Sequence, residues 1–90
     1  MNTISITNIA VIIESGNQEK VFANYCKKHD IKKVNPYRDK KRHYYYFERV
    51  GDFFIACSED NRDVIKNKSL FPVTIKQFFE DVENENFKEN

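Results

Sequence analysis

The chain has 90 residues, of which 40% are apolar, 14% aromatic and 32% charged, and its formal net charge is +1. This length fits one hydrophobic core, so we expect a single α+β domain over residues 1–84 and a frayed polar tail over 85–90. The longest apolar run, Ile9–Ile13, is far shorter than the roughly 20 residues of a transmembrane helix, and the N-terminus lacks the basic residues of a secretory signal. We therefore expect a cytoplasmic protein with no membrane contact.

The two cysteines, Cys26 and Cys57, are too few for the dense disulfide framework of a small secreted domain. We interpret both as free thiols that act as small hydrophobic residues in the core. A single disulfide between them is the alternative.

A buried strand followed by an amphipathic helix is predicted at the start of the chain. Residues 4–13 are β-branched and almost continuously apolar, which is typical of a strand covered on both faces. Ser15 is placed to cap a helix, because apolar residues recur at helical spacing from Val21 to Cys26. Lysines fall on the opposite side, so we expect the helix to pack on a sheet and to present a basic outer face.

Residues 30–42 predict a long loop. They follow neither helical nor strand periodicity and contain Pro36, with an extended stretch expected near Val34. Loops of this length in small domains are often functional, and this one is rich in lysine and arginine.

The next segment predicts a β-hairpin. Two aromatic and β-branched runs, 43–50 and 53–58, flank Gly51 and Asp52, and glycine in the first loop position is typical of a type II′ turn. This register alternates the side chains between two faces. One face carries Tyr44, Tyr46, Phe53 and Ile55, and the other carries Tyr45, Phe47, Arg49 and Phe54.

Both hairpin faces are aromatic, whereas two helices on one side of a sheet cover only one of them. The second face must therefore be covered by the long loop, by residues 64–73, or by a partner such as a second copy of the chain. Arg49 shares the face of Tyr45 and Phe47 and would be costly to bury unpaired. We therefore predict that Tyr45 and Phe47 point outward.

For residues 58–73, the sequence leaves two alternatives, a short helix or an edge strand. Thr74 and Gln77 form a capping box, and Val73 and Phe78 are placed as a hydrophobic staple, so a second amphipathic helix is predicted next. This order of elements favours a small two-layer α+β sandwich, with an antiparallel sheet of three to four strands and two helices on one face.

The charge is unevenly distributed. Residues 20–43 contain nine Lys or Arg against two Asp, which gives +7, and the remainder of the chain carries −6. Cations beside tyrosines are typical of nucleic-acid binding, but they also fit an acidic protein surface. The sequence pI of about 7.7 lies below the basic range of most nucleic-acid-binding domains, which favours the protein partner.

Two sets of residues have the side-chain types needed for a zinc site or for nucleophilic catalysis. A zinc site would draw on Cys26, His29, His43 and Cys57, whose spacing is unlike that of structural zinc motifs. A nucleophilic enzyme would use Cys57 with His43 and Asp60, but strand alternation points Cys57 toward a packed face, where a thiol is inert. We therefore expect no enzyme, no metal and no cofactor.

Together these features favour a small non-catalytic regulator or inhibitor that binds a protein through an aromatic sheet face and a basic loop. A nucleic-acid-binding module is the first alternative and a small Cys/His enzyme the second. The candidate contact residues are Lys32, Lys33, Tyr37, Arg38, Lys40, Lys41, Arg42, Tyr45, Phe47 and Arg49. Ten asparagines, eleven lysines and nine isoleucines are typical of A/T-rich genomes, so an accessory protein of a low-GC bacterium or a phage fits the composition.

Overall fold

The structure, a computed structural model, describes residues 4–34, 42–83 and 87–88 and shows an α+β fold. The elements in chain order are β1 (Ile4–Ser5), a 3-10 turn (Ile6–Asn8), β2 (Ile9–Ile13), α1 (Gly16–Lys28), β3 (Lys32–Val34), β4 (His43–Val50), β5 (Phe53–Glu59), α2 (Asp63–Asn67), β6 (Phe71–Thr74), α3 (Ile75–Glu83) and β7 (Phe87–Lys88). Of the predicted tail, only β7 is described, and it pairs in parallel with β1. In this described part, no helix is both long and apolar enough to span a membrane.

The main sheet has five strands in the order β3-β5-β4-β2-β6. Only β4 is antiparallel to its neighbours, while β3 pairs in parallel with β5 and β6 in parallel with β2. The prediction of three to four antiparallel strands was therefore wrong. The physical reason is that α1 and α2 each return the chain to the end of the sheet where the preceding strand began. The strand after each helix therefore runs in the same direction as the strand before it.

Local signals located the two longer helices correctly. The Ser15 hydroxyl accepts a hydrogen bond from the Gln18 N–H at 3.2 Å and caps α1. The Thr74 hydroxyl accepts one from the Gln77 N–H at 3.1 Å at the start of α3. Both predicted helices are therefore confirmed, together with their caps.

The predicted hairpin register is confirmed. Val50 pairs with Phe53 across the turn, and Tyr46 pairs with Cys57 further along. Gly51 has a φ of +61°, which is the left-handed value that a type II′ turn needs at its first loop position. Since a one-residue slip would exchange the two faces, this register decides which rings meet the helices.

The predicted outward orientation of Tyr45 and Phe47 was wrong. Their side chains are 0% and 1% exposed and belong to the main core. The Phe22 ring of α1 stacks on Tyr45 at a centroid distance of 4.6 Å, and the Phe78 ring of α3 stacks on Phe47 at 5.9 Å. These rings therefore hold the helices on the sheet and form no part of a binding surface.

Arg49 misled the face assignment because it lies near the hairpin turn, where its side chain is exposed. Its side chain is exposed, donates a hydrogen bond from Nε to the Gly51 carbonyl at 3.1 Å, and lies over the Phe54 ring. An arginine near the end of a strand thus shares a face with core rings without being buried.

The second face of the sheet is covered by one of the three predicted covers, residues 64–73. Val64, Ile65 and Leu70 pack against Tyr44 and Ala10 in a smaller apolar cluster. This segment contains both a helix, α2, and a strand, β6, so each interpretation of residues 58–73 was half right. The prediction of helices on one face only is corrected, because α2 lies on the face opposite α1 and α3.

Candidate binding surface on the first helix

The outer side of α1 is basic, as predicted. Phe22 and Cys26 are buried against the sheet, whereas Lys20, Lys27 and Lys28 are exposed to solvent. Within the described residues, none of these three lysines forms an ion pair. Their charges are therefore available to a partner.

Two of the predicted contact residues are already engaged within the chain. Lys33 Nζ lies 3.0 Å from Glu19 Oε1, and Arg42 donates to Glu14 Oε2 at 2.8 Å. Lys32 is exposed on the edge strand β3. Four predicted contact residues lie outside the described residues, namely Tyr37, Arg38, Lys40 and Lys41.

A polar network beneath α1 was not predicted. The Glu19 carboxylate accepts hydrogen bonds from the Tyr45 hydroxyl at 2.6 Å and from Lys33 Nζ at 3.0 Å, and its Oε2 lies 2.9 Å from His43 Nε2. His43 is only 2% exposed. Burial by itself raises the pKa of Glu19, but the hydrogen bonds from Tyr45, His43 and Lys33 outweigh it and lower this pKa below its ordinary value. Glu19 is therefore ionised at neutral pH.

The network anchors both ends of the segment between β3 and β4. Lys33 precedes this segment, His43 follows it, and both contact the same Glu19 carboxylate. The only signal of this role in the sequence is that Glu19 borders the apolar arc of α1. A lone glutamate in a helix is ordinarily a solvated residue, so its partners could not be foreseen.

The sheet separates the residues proposed for zinc binding and for a disulfide. Cys26 is buried on the side of α1, and Cys57 is half-buried beside Tyr46 on the side of α2. The two thiols lie on opposite faces, so they can form neither a disulfide nor a shared metal site. Among the described residues, no three His, Cys, Asp or Glu side chains are grouped as metal ligands.

The proposed Cys/His catalytic set is not brought together. His43 lies on the α1 side of β4, whereas Cys57 lies on the other side of β5. Burial raises the pKa of the Cys57 thiol, and it raises the pKa of the Cys26 thiol to about 12. Neither thiol is a thiolate nucleophile near neutral pH.

An open apolar groove runs between α1 and α3, beside the exposed lysines. Its volume is about 450 Å³, and its apolar lining consists of Val21, Tyr25, Phe79 and Val82. Tyr25 packs edge-on against Phe78 at a centroid distance of 5.0 Å, which fixes the bottom of the groove. The polar lining residues are Asn24, Lys28, His29 and Glu83.

The pattern of the sequence assigned these apolar residues to the core. In the structure, Val21 is 41% exposed, and Tyr25, Phe79 and Val82 are only partly buried. The two helices thus do not close over their shared apolar side chains.

Comparisons of the chain with protein-family models, with curated proteins and with solved structures found no match. A fold class does not by itself specify a function. The function must therefore be argued from this lysine surface and the groove beside it.

Proposed function

We propose that this chain is a small non-catalytic binding protein that regulates or inhibits a protein partner by contacting an acidic region of it through the outer side of α1. The observation that carries the proposal is the exposed set of Lys20, Lys27 and Lys28 on α1, of which Lys28 lines an apolar groove. Protein interfaces combine an apolar centre with polar surroundings, and charges at the edge steer association.

The charge of this surface has one sign. Every exposed charged residue of α1 is a lysine, because Glu19 is partly buried, pairs with Lys33 and contacts His43. Lysines in the last turn of a helix also interact favourably with its dipole. The presence of Lys27 and Lys28 there is therefore explained without a binding partner. Lys20 lies in the second turn of α1, where the helix dipole does not favour a cation, so the dipole gives no account of it.

The surroundings of the lysines favour a protein over nucleic acid. Binding to single strands needs exposed rings on which bases stack. Tyr44 and Tyr45 are buried, and Tyr46 packs in the cluster on the opposite face of the sheet. The rings beside the described lysines, Tyr25 and Phe79, are partly buried and pack edge-on against Phe78 and against each other.

The proposal is tested by charge reversal with a matched control. Lys20→Glu with Lys27→Glu changes the surface of α1, and Arg62→Glu with Lys66→Glu makes the same change in net charge at α2, on the other side of the sheet. The probes are poly-L-glutamate and a single-stranded oligothymidylate, titrated at low and at physiological salt. We expect poly-L-glutamate to bind the unmodified chain, about tenfold weaker binding by the α1 variant, and about twofold or less change in the control.

Equal losses in the two variants would contradict the proposal, because they would show an effect of net charge alone. Tight binding of oligothymidylate that depends on the α1 lysines, without binding of poly-L-glutamate, would favour the nucleic-acid alternative. Thermal unfolding of each variant verifies that the fold is retained.

A further inference from the structure

We infer that the groove between α1 and α3 binds an amphipathic helix of the partner, whose apolar stripe enters the groove and whose acidic side chains meet the lysines of α1. This inference rests on the proposed function and specifies the form of the partner. It is carried by the dimensions of the groove, the chemistry of its walls and the lysine on its α1 edge.

The groove has the length of a short helical contact. Its α1 wall extends from Val21 to Lys28, which is two helical turns or about 10 Å along the axis. Across it, Phe79 and Val82 cover about one turn of α3. Helices bound in grooves place side chains at i, i+3, i+4 and i+7 over this distance.

The walls favour a helix over an extended strand. Both walls are α-helices, whose backbone N–H and C=O groups are used within each helix except at its ends, so the groove offers mainly side chains. An extended strand would bury backbone groups there without partners. A helix satisfies its own backbone and requires only apolar contact.

The charges beside the groove favour an acidic helix of a partner protein. Lys28 lines the α1 wall, and Lys20 and Lys27 are exposed elsewhere on the outer side of the same helix, so acidic residues beside the apolar stripe of the partner are attracted. A second copy of the chain is a poor occupant through this surface. A two-fold symmetric contact centred on the outer side of α1 would bring the lysines of the two copies close together.

Glu83 lines the α3 wall near Lys28 and His29. The side of the partner helix that faces α3 should therefore be neutral or basic, while the side that faces α1 is acidic. This asymmetry gives the bound helix one preferred direction.

The inference is tested with two synthetic peptides of identical composition and about 15 residues. In the first, leucines recur at helical spacing and glutamates lie on one side of the leucine stripe. In the second, the leucines are spread around the helix. We expect the first to bind at least about tenfold more tightly and to shift the methyl NMR signals of Val21 and Val82.

Val21→Ser removes an exposed lining residue, and Val50→Ser, at the hairpin tip, is its matched control. Val21 and Val50 are 41% and 53% exposed, so both variants should fold. We expect Val21→Ser to weaken binding of the patterned peptide by about fivefold, which corresponds to the loss of a partly buried valine contact. Val50→Ser should leave this binding unchanged.

The outcomes distinguish this inference from the proposed function. If the two peptides bind equally and the variant with Lys20→Glu and Lys27→Glu binds neither, the groove inference is overturned and the proposal of the lysine surface is retained. Binding that is lost in Val21→Ser but unaffected by the lysine changes supports the groove and contradicts the acidic partner. Absence of methyl shifts at millimolar peptide overturns the inference directly.

Discussion

Glu19 of α1 and His43 of β4 meet beneath the helix, with 2.9 Å between Glu19 Oε2 and His43 Nε2. Because Glu19 immediately precedes Lys20 and Val21, the contact that fixes Glu19 also positions the first residues of the proposed binding surface. Lys33 and Tyr45 contact the same carboxylate, so the helix is held to two strands at one point. A charged group in this partly enclosed position is stable only when such partners are present.

Neutralising Glu19 should destabilise the protein. Glu19→Gln leaves Lys33 without its carboxylate and removes the charged acceptor from His43 and Tyr45, so we expect a loss of about 2 to 3 kcal/mol in the free energy of unfolding. Urea denaturation at pH 7 measures it. The control is Glu14→Gln, which removes the exposed ion pair with Arg42 and should change stability by about 0.5 kcal/mol or less. Equal effects would show that the Glu19 network contributes no more than a surface ion pair.

The contribution of Glu19 should depend on pH in the acid range. Its pKa is lower in the folded chain than the ordinary value of 4.5, so folding favours the ionised form. The resulting stability is fully present above pH 4.5 and is lost as the pH falls through the lowered pKa. The stability difference between the unmodified chain and Glu19→Gln should therefore shrink as the pH falls below 4.5. A difference that persists unchanged at pH 3 would contradict the assignment.

Phe47 should behave as a core residue. Its ring is 1% exposed and packs against Phe22 and Phe78, so Phe47→Ala should lower the free energy of unfolding by about 3 to 5 kcal/mol. Phe53→Ala is the control, because Phe53 belongs to the same hairpin but is 68% exposed, and it should cost less than about 1 kcal/mol. Chemical denaturation compares the two, and similar losses would mean that the hairpin faces are assigned incorrectly.

Cys26 should resist thiol reagents while the chain is folded. It is 1% exposed, and burial raises the pKa of its thiol to about 12, so thiolate is scarce at pH 8. In a Cys57→Ser protein, which isolates Cys26, we expect the native reaction with an aromatic disulfide reagent to be at least about a hundredfold slower than in urea. Comparable rates in the two conditions would show that Cys26 is accessible.

Local sequence patterns alone determined the two longer helices and the hairpin. The caps at Ser15 and Thr74 and the turn at Gly51 each depend on residues within a few positions of one another, so they can be recognised without the fold. The alternation of the hairpin side chains follows from the same turn. The basic outer side of α1 was equally evident, because helical periodicity separates its lysines from its apolar residues.

Only the tertiary structure decided which hairpin face is buried, which strands form the edges and where the polar network lies. Alternation places rings on both faces, and it was the packing of Phe22 and Phe78 that selected Tyr45 and Phe47 for the core. The contacts of Glu19 join residues that are 14 to 26 positions apart, and no local pattern encodes them. The groove likewise exists because α1 and α3 leave apolar side chains partly uncovered between them, and the gap between two packed helices is set by the sheet beneath both.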